Sequence, residues 1–118
     1  MGILALTGQV IVGVIFAHGA VVDILERKTL LSMLKQKKLR YEEILLYGAI
    51  VLKIVCGLGL IFDVAPHVSA FILAGFTLIA NIIFHPFWSF GPGERKREYF
   101  IFITHLAIVG GLLAIAGG

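Results

Sequence analysis

Charge is scarce in this chain. Asp, Glu, Lys and Arg together make up 14% of its 118 residues, where a soluble domain carries about 25%. That shortage excludes an ordinary water-facing globule of this size. With 59% apolar residues and a mean hydropathy of +1.02, too little polar surface remains to cover so small a body. Cysteine is nearly missing as well. Cys56 stands alone, so neither an internal disulfide framework nor a CxxC motif is possible. Inside an apolar run it reads as a small packing thiol. Proline is limited to three residues, Pro66, Pro86 and Pro92, and all three fall at seams between apolar runs. There is no hydrolytic triad, no phosphate-binding loop and no Cys/His spacing suited to a metal, so no metal site is expected.

What the chain does have is four long apolar runs, at about 3–24, 44–62, 66–84 and 99–116. Each is near the ~20 residues that a helix rising ~1.5 Å per residue needs to cross ~30 Å of hydrocarbon. Strands are excluded, because an unpaired strand in lipid leaves its backbone N–H and C=O groups unsatisfied. The expected fold is all-α: a polytopic membrane protein, a bundle of four transmembrane helices forming one domain over 1–118. The first run lacks a basic leader and a clear small-residue cleavage site, so it is expected to stay in the mature protein. Glycines within the spans, Gly13, Gly48, Gly57, Gly59, Gly75, Gly110 and Gly111, suit close helix packing. They also favour a homo-oligomer or a larger membrane complex.

The three connections differ. Segment 25–43, LERKTLLSMLKQKKLRYEE, carries six Lys/Arg, with Leu30, Leu31, Met33 and Leu34 as an apolar patch. It reads as a short amphipathic helix at 29–38 lying on the membrane surface. The DVAP turn at 63–66 carries no basic residue. Pro66 suits the first position of a helix, with Asp63 as a nearby cap. In the third connection Pro86 ends the third span, and Gly91, Pro92 and Gly93 make a turn. Connections one and three share a side and hold nine of the ten basic residues. The positive-inside rule then puts them in the cytoplasm of a bacterial-type inner membrane, with both termini on the non-cytoplasmic side. Lys35, Lys37, Lys38, Arg95, Lys96, Arg97 and Glu98 are the candidates for partner or lipid contact. The apolar flanks exclude a nucleic-acid surface.

Polar residues within spans are costly and mark candidate sites. His18, Asn81, His85 and His105 come from three runs and fall at similar depth near the cytoplasmic side, by rise per residue. Asn81 and His85 are four apart and share a face. Lys53 lies near mid-span, either at the floor of a shared polar pocket or snorkelling toward water. Phe87 and Trp88 would form the lip of that pocket. Gln9 lies in the outer leaflet and reads as a bond between helices, and His67 at the outer interface reads as solvated.

FHPFW at 84–88, ERKRE at 94–98 and FIFITHLAIVGGLLAIAG at 100–117, with FAHGAVVDIL at 16–25, together resemble the DoxX-like family of small four-helix membrane proteins. Two departures stand out: Val22 or Asp23 where the family places lysine, and His105 where it places asparagine. The resemblance implies a link to membrane redox systems, feeding quinone or handling oxidative stress, with His85, Trp88, Arg97 and Glu98 as residues of interest. The expected function is an accessory subunit of a quinone-linked membrane system. A quinone needs an apolar slot and one or two donors, and His, Asn and aromatic rings supply these. The alternatives are a scaffold docking a soluble partner on the basic loops, a small transporter using Lys53 as counter-ion, and a haem b carrier ligated by His18 and His105.

Overall fold

The computed structural model describes residues 2–118, and among them every regular element is helical. The helices are α1 (Ile3–Leu25), α2 (Arg27–Gln36), α3 (Glu42–Ile61), α4 (Pro66–Phe84) and α5 (Pro92–Gly117), with a 3-10 turn at Phe87–Ser89 before α5. α1, α3, α4 and α5 are each long and apolar enough to cross a membrane. The all-α, four-span reading therefore holds. The helices group into two compact units, one ending at Ala65 and one running from Pro66 to Gly118.

In the first unit α1 packs against α3 in opposite direction. Gln9, Gly13 and Asp23 on α1 meet Leu60, Gly57 and Lys53 on α3 in reverse order. The closest approach is glycine to glycine: a Cβ built on Gly13 would sit 2.6 Å from the carbonyl oxygen of Gly57. Such contact is available only to residues without side chains, and in lipid it is what draws helices together. Gln9, 1% exposed, closes one end. Its Nε2 donates to the Leu60 carbonyl at 3.0 Å and to Asp63 Oδ1 at 2.9 Å. Asp63 thus turns an oxygen to Gln9, within a turn that holds both Asp63 and Ala65 in left-handed backbone. Pro66 does open the next helix, as its fixed φ favours.

α2 follows α1 after one residue. Hydrogen bonds from Glu26 N to Val22 O and from Leu30 N to Glu26 O carry the helical pattern across the break, which is marked by Glu26 at φ −105° and ψ 21°. Leu34 is buried, while Lys35, Lys37 and Lys38 are exposed. The observed helix, 27–36, begins two residues before the expected 29–38.

In the second unit α4 and α5 also run in opposite directions. His67 on the first turn of α4 donates from Nδ1 to the Ile115 carbonyl near the end of α5, at 3.0 Å, so this exposed histidine is bonded and not only solvated. The last turn of α4 faces the early turns of α5. Here the structure corrects the expected boundary: α5 starts at Pro92, seven residues before the predicted 99. Gly91 is the N-cap, Pro92 stands at the start and Glu94 lies in the first turn. The proline needs no N–H partner there and the acid complements the helix N-terminus. The run ERKRE is thus helical. It had looked like connection because charge, and not backbone preference, marked the edge of the apolar run.

Candidate functional site

The second unit gathers Asn81, His85, Glu98 and His105 into two neighbouring hydrogen-bonded pairs, Asn81 with His105 and His85 with Glu98. Asn81 lies on the last turn of α4 and is 1% exposed. Its Nδ2 donates to the Phe102 carbonyl on α5 at 3.0 Å. Its Oδ1 lies 3.0 Å from Nδ1 of His105. A backbone carbonyl can only accept, so the amide nitrogen must be the atom facing Phe102, and Oδ1 must face His105. His105 therefore carries its proton on Nδ1 and donates.

One turn along, the His85 N–H still bonds the Asn81 carbonyl at 2.9 Å. This continues the helical pattern past Phe84 and keeps the two side chains on one face. Nδ1 of His85 lies 2.7 Å from Oε2 of Glu98. An ionised carboxylate only accepts, so His85 also carries a proton on Nδ1. The His85 and Glu98 side chains are 25% and 16% exposed. The two imidazole rings sit 5.1 Å apart between centroids, their planes tilted by 57°.

Beside this group stands an aromatic cluster. Phe87 meets Trp88, Tyr99 and Phe102 edge-on, with centroids 5.0–5.2 Å apart. Trp88 meets Phe102 in the same way at 5.7 Å. These are the favoured quadrupole geometries for ring pairs. Phe102 joins the two clusters: its carbonyl holds Asn81 and its ring holds Phe87 and Trp88.

Asn81, His85, Trp88, Glu98 and His105 are thus together in the second unit. His18 and Lys53 belong to the first. His18 is exposed on α1. Lys53 reaches Asp23 Oδ2 at 2.6 Å, with both side chains 19% exposed. By the Gly13–Gly57 register the Lys53 stem extends toward the end of α1 that Asp23 marks. The cation is thus paired with an acid on the neighbouring helix. Arg95, Lys96 and Arg97 are exposed on the first turns of α5, and Arg95 Nε donates to the Phe90 carbonyl at 3.1 Å.

A family model for DoxX matches residues 3–86. The chain belongs to the DoxX family. Among curated proteins and among solved structures nothing matches. The DoxX match takes in α1 to α4 and stops at Pro86, so His18, Lys53, Asn81 and His85 lie inside it. Trp88, Glu98 and His105 lie beyond it, in the segment that supplied most of the resemblance motifs. A DoxX-family chain with four apolar helices is a small multi-pass membrane protein in contact with the lipid bilayer. Two partners escaped sequence reasoning. The Asp23 link to Lys53 was signalled by a lone cation within an apolar run, which calls for an acid nearby. The Glu98 link to His85 had no sequence signal, because it depends on the register of α4 against α5.

Proposed function

We propose that this protein is an accessory subunit of a membrane redox system, and that its second unit binds a quinone or hydroquinone ring. One observation carries the reading: two hydrogen-bonded pairs, Asn81–His105 and His85–Glu98, stand side by side next to four aromatic rings, at the edge of two membrane spans. Polar groups within a span are retained against a cost of a few kcal/mol each when unpaired. Two pairs needing four side chains for packing alone are an expensive way to join two helices that already meet at His67 and Ile115. An apolar platform with few, fixed polar atoms is what a flat lipid-soluble ring requires. The membrane reading that goes with it is an inner membrane, with α2 and the first turns of α5 on the cytoplasmic side.

The test is the lipid extract of protein purified in native-membrane discs. Quinone or hydroquinone is expected at near-stoichiometric amount. It is expected to fall several-fold in His85→Ala while the protein stays helical and monodisperse. An extract with no more quinone and hydroquinone together than an equal mass of empty membrane overturns the reading. A second reading, a scaffold that docks a soluble protein, is favoured by the exposed Lys35, Lys37, Lys38, Lys96 and Arg97. A soluble protein that co-purifies at low salt and leaves at high salt, with no quinone retained, supports it.

A further inference from the structure

The hydrogen bonds of the second unit decide more than the shape of its network. They decide which polar atoms of the two imidazoles are left. His105 uses Nδ1–H on Asn81 Oδ1, and His85 uses Nδ1–H on Glu98 Oε2. Asn81 is 1% exposed, with its amide engaged by Phe102 and its oxygen by His105. The helix interior offers no free backbone donor, since those groups bond within the helices. In its neutral form each ring then keeps one unused polar atom, Nε2. It is a lone pair, turned away from the partner that holds Nδ1. Two such acceptors stand on rings 5.1 Å apart, beside the Phe87–Trp88–Phe102 cluster.

We infer that this site takes its ligand as a hydrogen-bond donor, so that it selects a membrane-dissolved aromatic hydroxyl, of which a hydroquinone is the redox case, over the corresponding quinone. A quinone presents only carbonyl oxygens. Against two Nε2 lone pairs it finds acceptor facing acceptor, and the water it leaves behind is not replaced. A hydroxyl brings the missing proton, and the aromatic ring lies against Phe87, Trp88 and Phe102. Sites that must hydrogen-bond a ligand group reject the analogue lacking it far more sharply than apolar pockets reject a size change. On the sequence alone, His and Asn read as donors to quinone carbonyls. The tautomers reverse that polarity at the two imidazoles, whose Nδ1 protons are spent inside the protein. The selection rests on the ring-binding reading above and sharpens it.

The experiment uses the whole chain in lipid discs at about pH 8, above the ordinary imidazole range near 6.5. Three probes share one short-tailed aromatic body: a hydroquinone, its quinone and its dimethyl ether. Binding is measured by calorimetry, with empty discs as the blank. The hydroquinone is expected to bind at least about tenfold more tightly than the other two, one acceptor–donor pair being worth that much. Equal binding of all three, or tighter binding of the quinone, overturns the donor selection and leaves the ring-binding reading standing. No binding of any probe overturns both. His85→Ala and His105→Ala are each expected to bring the hydroquinone down to the level of the ether. If His105→Ala misfolds because Asn81 loses its partner, His85→Ala carries the comparison. If His85→Ala keeps the full preference, the inference fails. A ligand-free measurement stands beside these: ¹⁵N NMR of labelled histidines, assigned with the same variants. It should show Nδ1 protonated and Nε2 bare on both rings, and a protonated Nε2 on either ring overturns the inference for that ring.

Discussion

Gly13 and Gly19 lie six residues apart on the same helix and should respond in opposite ways to one added methyl group. A Cβ at Gly13 would meet the Gly57 carbonyl oxygen at 2.6 Å and Leu60 Cβ at 3.0 Å, whereas one at Gly19 meets nothing within 4 Å. Backbone oxygen cannot step aside as a flexible side chain can. Gly13→Ala should therefore weaken the α1–α3 pair by about 1–3 kcal/mol, the usual range for overpacking. Gly19→Ala should leave stability unchanged or slightly raised, since alanine is the better helix former. Unfolding titrations in mixed micelles read both. The Lys53–Asp23 pair makes a second residue-scale prediction. Its two side chains are 19% exposed, between a surface pair and a sealed one. Asp23→Asn should cost about 1–3 kcal/mol, less than the 3–5 of a fully buried pair. Adding Lys53→Met should recover most of that loss, because the uncompensated charge leaves with it. A double variant no better than the single one would show that Lys53 stabilises by its other contacts.

At the scale of elements, the four spans were legible because apolar length is a direct demand of the bilayer. The seams were legible only in part. Pro66 marked the start of α4 correctly, since proline fixes φ whatever surrounds it. α5 starts seven residues before its apolar run does, because the charged ERKRE segment is itself helical and charge marks only where the apolar stretch begins. The site was legible to the same degree. Asn81 and His85 could be placed on one face by spacing alone, and His105 at their depth by counting residues. Glu98 as the partner of His85 could not, since no local rule fixes how α5 slides along α4. α2 is tied to membrane spans by one residue on one side and five on the other, so chain length alone keeps it near the bilayer surface. With Lys35, Lys37 and Lys38 exposed, each basic group near anionic lipid adds roughly 1 kcal/mol. Replacing all three with glutamine should lower the anionic lipid retained with the purified protein several-fold. Spin labels along α2 should report lipid contact at Leu30 and Leu31 and water at Lys28. Full water exposure at every position would count against a surface-bound helix.

At the scale of the whole chain, the basic residues are expected to set the topology. Six lie between α1 and α3 and three on the first turns of α5, and none lies in the turn between α3 and α4. Both termini are expected outside the cytoplasm. A C-terminal alkaline phosphatase fusion should be active and a C-terminal green fluorescent fusion dark, and the reverse pattern overturns the orientation.

Trp88 has a use of its own. It is the only tryptophan in the chain, 53% exposed, and held edge-on by Phe87 and Phe102. All indole emission from the protein therefore originates at one point, next to the polar group and at the predicted cytoplasmic edge of α4. The molecule carries its own depth gauge. Lipids brominated near the headgroup should quench this emission more strongly than lipids brominated at the chain ends, and the ratio locates His85 and Glu98 along the membrane normal with no label attached.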